Sequence, residues 1–327
     1  MELHPALIFL GGLVVIIVGA ELVLRGATRV ASLAGIPPII IGLTVVSVGT
    51  SLPELAVGIT ATLDGAGPMA VGNIAGTNLV NILFILGLSA AIRPIHIQLP
   101  TIRFDVPMMI AASMLLLIMA WDGLLDRTDG AIFLVLATAY TVVRIGMGRN
   151  EKGPVQREFV REYGRGALFN RRHGALWLVN TSMLLVGMAV TVLGADLMVP
   201  GAIGLAQLMG VSEAVIGLTI IAVGTSMPEL VMALMSAARN DSDVAIGNLV
   251  GSSIYNVLVI LGITCLAVPG GVDVGTDVLR VDLPLGVLLA LVCYPVFRSG
   301  CMVSRQEGIA FVAAYVIYMA VLVFVRA

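Results

Sequence analysis

Gly49-Thr50-Ser51-Leu52-Pro53-Glu54-Leu55 and Gly224-Thr225-Ser226-Met227-Pro228-Glu229-Leu230 are one motif written twice, 175 residues apart. Working outward from them, the register holds without a gap. Ile41-Gly42-Leu43-Thr44 recurs as Ile216-Gly217-Leu218-Thr219, and Gly72-Asn73 with Gly76 and Asn81 recurs as Gly247-Asn248 with Gly251 and Asn256. From Ile41/Ile216 to Ala90/Cys265, 20 of 50 pairs are identical, and many others are swaps such as Val/Ile or Thr/Ser. An apolar composition explains coincident Leu and Ile. It does not explain Gly-Thr-Ser-x-Pro-Glu in register twice, so the chain is a duplicated unit.

The solvent of that unit is lipid. Of 327 residues 59% are hydrophobic and 12% charged, with mean hydropathy +1.06, against roughly 45–50% and about 25% in soluble domains. A soluble surface needs more polar cover than this. A net charge of −2 gives no electrostatic case for a nucleic-acid partner. Cys265, Cys293 and Cys301 do not make a disulfide framework. Met1-Glu2-Leu3-His4-Pro5 lacks the basic start of a signal peptide, so the first apolar run is expected to stay in the mature protein.

With about 20 apolar residues needed per spanning helix, ten spans are expected: 5–31, 38–62, 68–91, 105–121, 130–147, 175–205, 212–237, 243–267, 281–297 and 307–325. Continuous apolar runs exclude a porin-like barrel, whose strands alternate. The long polar stretch 148–174 reads as a solvated linker between halves 1–147 and 175–327. With that linker in the cytoplasm, all but three of the 18 Lys and Arg residues face inward; the exceptions are Arg127, Arg280 and Arg326. Asp122, Asp126 and Asp129 then fall in one outer loop, Asp273, Asp277 and Asp282 in another, and both termini lie outside.

Five spans per half is an odd number, so the second half enters the membrane upside down. The expected fold is therefore an all-α polytopic membrane protein of two inverted five-helix repeats, an architecture of secondary transporters. Within it, Glu54 and Glu229 stand out. Each lies inside an apolar span, where a carboxylate costs roughly 2.5–3.5 kcal/mol on insertion scales, and no Lys or Arg lies in the nearby turns. Two symmetry-related carboxylates facing one another suit a cation. Pro53 and Pro228 cannot donate to the carbonyl four residues back, which frees backbone oxygens around Gly49-Thr50 and Gly224-Thr225. Such oxygen-rich sites suit hard cations, and no His or Cys cluster offers one for zinc or copper.

Asn73, Thr77 and Asn81 fall at i, i+4 and i+8 on one helical face, and Asn248, Ser252 and Asn256 repeat the stripe. Packing and ligation are both open for Asn73 and Asn248, whereas Asn81 and Asn256 are read as site residues. Gly72, Gly76, Gly247 and Gly251 allow close helix packing. Glu21, with Arg25 one turn on, reads as a local ion pair. Asp196, its repeat mate, is read as structural, and the 16 methionines as core filler.

These doubled segments resemble the two alpha repeats of the calcium/cation antiporter superfamily, and the chain most resembles its sodium/calcium exchanger branch in the short ten-helix form. The match covers 41–90 and 216–265. The resemblance implies four core helices around a diamond of cation sites. Carried over by position, Glu54 and Glu229, with the backbone oxygens of Thr50 and Thr225, would hold Ca²⁺. Sodium sites would use Ser51, Ser226, Thr77, Ser252 and the backbone oxygens of Ser47 and Ala222, and Asn81 and Asn256 would line the centre. Family members often carry Asp at one of those last two places; this chain has Asn at both, one titratable group fewer. The resemblance also implies that the first and sixth spans slide. The expected activity is Ca²⁺/Na⁺ antiport at the plasma (cell inner) membrane, with no enzyme chemistry, no cofactor and no obligate protein partner. Ca²⁺/H⁺ or K⁺-dependent exchange, a cation channel and a membrane hydrolase are the rival readings.

Overall fold

The computed structural model describes residues 4–150, 173–208, 222–239 and 242–326. Most of the linker, and 212–221 of the seventh expected span, lie outside the described residues. Among the described residues, eight helices are long and apolar enough to cross a membrane. In chain order the helices are α1 (Pro5–Ala34), α2 (Ile39–Leu63), α3 (Gly67–Ile92), α4 (Thr101–Asp122), α5 (Arg127–Asn150), α6 (His173–Leu208), α7 (Ala222–Thr225 and Met227–Arg239), α8 (Asp243–Ala267), α9 (Val278–Arg298) and α10 (Arg305–Arg326). The two beyond those eight are α7, described from Ala222 onward, and the 22-residue α10.

Helix starts and stops follow local chemistry. His4 caps α1, whose first residue is Pro5, and α1 ends at Gly35 with φ 65°, a left-handed stop that glycine adopts without strain. Asp126 and Asp129 cap α5 reciprocally. The Asp126 carboxylate accepts from the N–H groups of Thr128 (2.7 Å) and Asp129 (3.0 Å), and Asp129 accepts from the Asp126 N–H at 2.8 Å. The Asp129 N–H leads in holding the Asp126 carboxyl below the usual carboxylate range. Ser304 and Glu307 build the same box at α10: Glu307 accepts from the Ser304 N–H at 2.8 Å, and Ser304 Oγ accepts from the Glu307 N–H at 3.3 Å. The duplication thus extends to capping.

Among the observed starts that lie before the expected ones are Thr101 against 105 and Val278 against 281. Each is a π-turn, Thr101–Asp105 and Val278–Asp282, in which Arg103 and Arg280 read as loop in the sequence. Asp105, the first residue of the expected span, has its charge paired inside the protein.

Among the described residues four two-residue strands tie the halves together: β1 (Ile95–His96), β2 (Leu124–Leu125), β3 (Val272–Asp273) and β4 (Met302–Val303). β1 pairs antiparallel with β4, Ile95 opposite Val303, and β2 pairs with β3, Leu125 opposite Val272. Each pair takes one strand from each half. A chain that alternates through the bilayer puts the two pairs at opposite ends, as an inverted repeat requires.

Burial separates inner from outer helices. Over their central windows α2, α3 and α8 are 67%, 72% and 83% buried, whereas α1, α4, α5, α6 and α9 lie between 28% and 39%. Leu7, Val14, Val18, Leu185 and Leu193 are among the outer positions left exposed, as lipid-facing positions are. Gly247 and Gly251 let α8 approach α2: a methyl on Gly247 would lie 2.6 Å from the Ile39 carbonyl oxygen, and one on Gly251 2.5 Å from that of Leu43.

α1 and α6 pack antiparallel along two glycine rows, Gly12, Gly19 and Gly26 against Gly187, Gly194 and Gly201. A methyl built on any of the six would fall within 3.0 Å of main-chain atoms of the facing helix. The rows are repeat mates spaced by seven residues, so at those points the main chains approach closely, with side-chain atoms such as Thr191 Oγ1 and Ile16 Cγ1 seated against the glycines. Glu21 bonds Arg25 as expected, Nε to Oε1 at 2.5 Å, and Asp196 is exposed on α6.

Candidate ion-binding site

The site starts with two broken helices. α2 runs through a π-turn, Gly42–Val46, and a helical turn, Ser47–Thr50. It breaks at Ser51 (φ −88°, ψ 12°) and resumes over Leu52–Leu63. α7 repeats the break: Ala222–Thr225, a turn at Ser226, then Met227–Arg239. In both cases proline is the second residue after the break. With no N–H on Pro53 or Pro228, the carbonyls of Gly49 and Gly224 lack their helical donor, and the last carbonyls before each break include those of Thr50 and Thr225. Irregular backbone at membrane depth is tolerated only against protein or a water-filled cavity.

Glu54 and Glu229 follow the breaks. Both are 0% exposed, they lie close enough to interact electrostatically, and among the described residues no oxygen of either carboxylate has a hydrogen-bond partner. Among the described residues the ion pairs are Glu21–Arg25 and Asp105–Arg144; neither includes these glutamates. An anionic pair left this way is stable only in company of positive charge or protons.

Other oxygens, on the helices that carry the glutamates and on those packed against them, share the same state. Ser51 Oγ, Ser226 Oγ, Thr77 Oγ1 and Ser252 Oγ are buried without a partner among the described residues. Buried polar groups are satisfied in the great majority of cases, so seven such side chains, counting the two glutamates and Asn81, together with the Asn256 Oδ1, are a coherent signal. They arise from α2, α3, α7 and α8, two helices from each half. Hydroxyl, amide and carboxylate oxygen is the donor set of hard cations.

Around these oxygens a shell of bonded residues holds the geometry. Ser47 Oγ donates to the Gly42 carbonyl at 2.7 Å and reaches across to the Asn248 carbonyl at 3.1 Å. Thr50 Oγ1 donates to Asn248 Oδ1 at 3.2 Å and also lies beside Glu229. Asn248 therefore ties α2 to α8, which favours its packing role. Thr225 is half-buried at the end of its short segment, and Ala222 opens it.

The stripe on α3 departs from ideal spacing. Val80–Leu86 is a π-turn, and Asn256–Leu261 is its counterpart on α8, so each second asparagine sits where the helix widens. Single π-turns concentrate at functional sites. The sequence reading missed Asn78, whose Oδ1 accepts from Asn256 Nδ2 at 3.2 Å. Its repeat mate is Ser253, so the duplicated pattern gave no signal there.

Inverted halves, broken helices at mid-depth and a partnerless acidic pair together define a secondary membrane transporter. The resemblance read from the two motifs extends over nearly the whole chain. The chain belongs to the sodium/calcium exchanger protein family, whose pattern matches residues 4–146 and 179–324. It is 32% identical to the inner membrane protein YrbG of Escherichia coli strain K12 over 98% of this chain and 97% of that one. It is 28% identical to the sodium/calcium exchanger MaX1 of Methanosarcina acetivorans, over 98% of each. Among solved structures it superposes on the sodium-calcium exchanger NCX_Mj, soaked with Na⁺ and Ca²⁺, with TM-score 0.81 and 28% identity, covering 98% of this chain and 99% of that one.

Proposed function

We propose that this protein exchanges Ca²⁺ for Na⁺ across the plasma (cell inner) membrane by alternating access. Residues 1–147 and 175–327 act as the two inverted halves, 148–174 is a cytoplasmic linker, and both termini lie outside. The observation that carries the reading is the buried pair Glu54 and Glu229, interacting and unbonded, amid oxygens that have no protein partner. Glu54, Glu229 and the Thr50 and Thr225 backbone oxygens hold Ca²⁺. Ser51, Ser226, Thr77, Ser252 and the Ser47 and Ala222 backbone oxygens serve Na⁺, with Asn81 and Asn256 between.

The logic is competition for charge. Two carboxylates are neutralised by one Ca²⁺, or by two or more Na⁺ with neutral oxygens helping. The empty site would carry bare charge through a low-dielectric barrier, which disfavours leak and couples the two fluxes. α1 and α6 slide along their glycine rows to expose the site to either side, since the glycines add no side chain of their own at the closest approaches. Names among the relatives support the same ions: MaX1 is a sodium/calcium exchanger, NCX_Mj was soaked with both ions, and YrbG is an inner membrane protein.

In vesicles loaded with Na⁺, radiolabelled Ca²⁺ uptake is expected to collapse when the outward Na⁺ gradient is removed. Uptake that survives without Na⁺ and follows a pH gradient instead would replace sodium by protons as the counter-ion. Imbalanced exchange moves charge, so uptake should also respond to membrane potential, by about 2.3 kcal/mol per charge per 100 mV.

A further inference from the structure

The duplication breaks down beside the second asparagine of each repeat. Asn256 Nδ2 donates to Asn78 Oδ1 at 3.2 Å, and Asn78 Nδ2 donates to the Ser253 carbonyl at 3.2 Å. The donor end of the Asn256 amide is thus anchored, while its Oδ1 is buried without a protein partner. Asn81, its mate, has a partner at neither Oδ1 nor Nδ2. The cause is one sequence difference: Asn78 pairs in the repeat with Ser253, whose hydroxyl donates to its own helix at the Leu249 carbonyl, 3.0 Å away.

A second difference lies one residue before each asparagine. Tyr255 precedes Asn256, and Val80 precedes Asn81. Tyr255 Oη shares a 2.5 Å hydrogen bond with Thr141 Oγ1 on α5, and its ring tilts against Tyr140 at 5.9 Å. Tyr140 Oη donates to Asp105 at 2.9 Å, and Arg144 Nε reaches both Asp105 oxygens at 3.0 and 3.1 Å. Arg144 is fully buried, and its two terminal nitrogens have no hydrogen-bond partner in the protein. A buried ion pair satisfied only in part is a poor source of stability; what it does here is brace the tyrosines that fix α8 at the start of its π-turn. Val80 offers no hydroxyl for an equivalent brace on α3.

We infer that Asn78 and Tyr255 are positioning residues that hold Asn256 as a permanently oriented oxygen ligand, whereas no described residue orients the Asn81 amide, so the two halves of the site are unequal despite the repeat. Ca²⁺, which takes six to eight oxygens, depends on the fixed ligand. The inference rests on the exchange reading above, and the test separates the two. Equilibrium binding of radiolabelled Ca²⁺ to purified protein reads the site whatever the counter-ion, while vesicle flux reads coupling.

Asn78→Ser, which copies the repeat mate, is expected to weaken Ca²⁺ binding roughly three- to ten-fold, the scale of one lost hydrogen bond. It should raise KM for Ca²⁺ by the same factor with kcat per folded transporter little changed. Tyr255→Phe and Thr141→Val, which each remove one hydroxyl, should act in the same direction. In double-mutant cycles Asn78→Ser should be non-additive with Asn256→Ser and additive with Asn81→Ser. A purely structural role would lower folded yield and leave affinity alone. Wild-type affinity in both Asn78→Ser and Tyr255→Phe, or additivity with Asn256→Ser, overturns the inference. Loss of Na⁺-driven flux in the wild type with Ca²⁺ binding intact overturns the exchange reading alone.

Discussion

Glu54→Gln and Glu229→Gln are each expected to abolish Ca²⁺ transport while leaving a folded, membrane-inserted protein. The amide keeps the shape of the acid and removes one negative charge from a position that is 0% exposed. At an effective dielectric of about 20, two unit charges 4 Å apart attract by roughly 4 kcal/mol, and a divalent ion doubles that. Each 1.4 kcal/mol is tenfold, so affinity should fall by three orders of magnitude or more. Stability should hold or rise, because an uncompensated charge leaves the protein interior. Paired measurements of Ca²⁺ uptake and thermal unfolding in detergent check both halves of the claim. Wild-type flux from either variant removes the proposed site, and unfolding of both would recast the carboxylates as structural.

The second large effect falls far from those carboxylates. Gly194→Val places a branched side chain where a single methyl already lies 2.6 Å from the Ile16 backbone nitrogen, and Gly12→Val meets Met198 main chain at 2.5 Å. The atoms in the way are backbone, which cannot swing aside, so α1 and α6 must part or lock. Overpacking of well-packed sites commonly costs about 1–3 kcal/mol, and a clash with main chain belongs at or above that range. Transport is expected to drop tenfold or more. Gly11→Ala on the same helix meets nothing within 4 Å and should leave both folding and flux within about 0.5 kcal/mol of wild type. Equal behaviour of Gly194→Val and Gly11→Ala would show that the glycine rows are incidental.

Much of this was legible in the sequence because duplication writes each important feature twice. Glu54 and Glu229, the prolines before them and the helix breaks at Ser51 and Ser226 follow from one motif and the rule that proline withholds a donor. The same duplication hides what is single. Asn78 has a serine for a mate and Arg144 a leucine, Leu322, where α5 and α10 are matched at their capping boxes; nothing marked either residue as part of a network. Asp105 is the first residue of an expected span and gives no sign of its buried partner, since the sequence does not show which charge another helix will meet. π-turns are equally silent, because the widening at Asn81 and Asn256 is decided by packing against neighbouring helices rather than by local preference.

The two small strand pairs carry a mechanical consequence. β1 and β4 join the turns of α3–α4 and α9–α10, and β2 and β3 join those of α4–α5 and α8–α9. Six helices are therefore buckled into a chassis at both ends of the bilayer. The four that remain outside the buckles are the glycine-grooved pair and the two that carry the glutamates. α2 is itself tied to the chassis through Asn248, so if α1 and α6 slide as proposed, a covalent tether from either of them to the chassis should stall the cycle, where one laid inside the chassis should pass unnoticed.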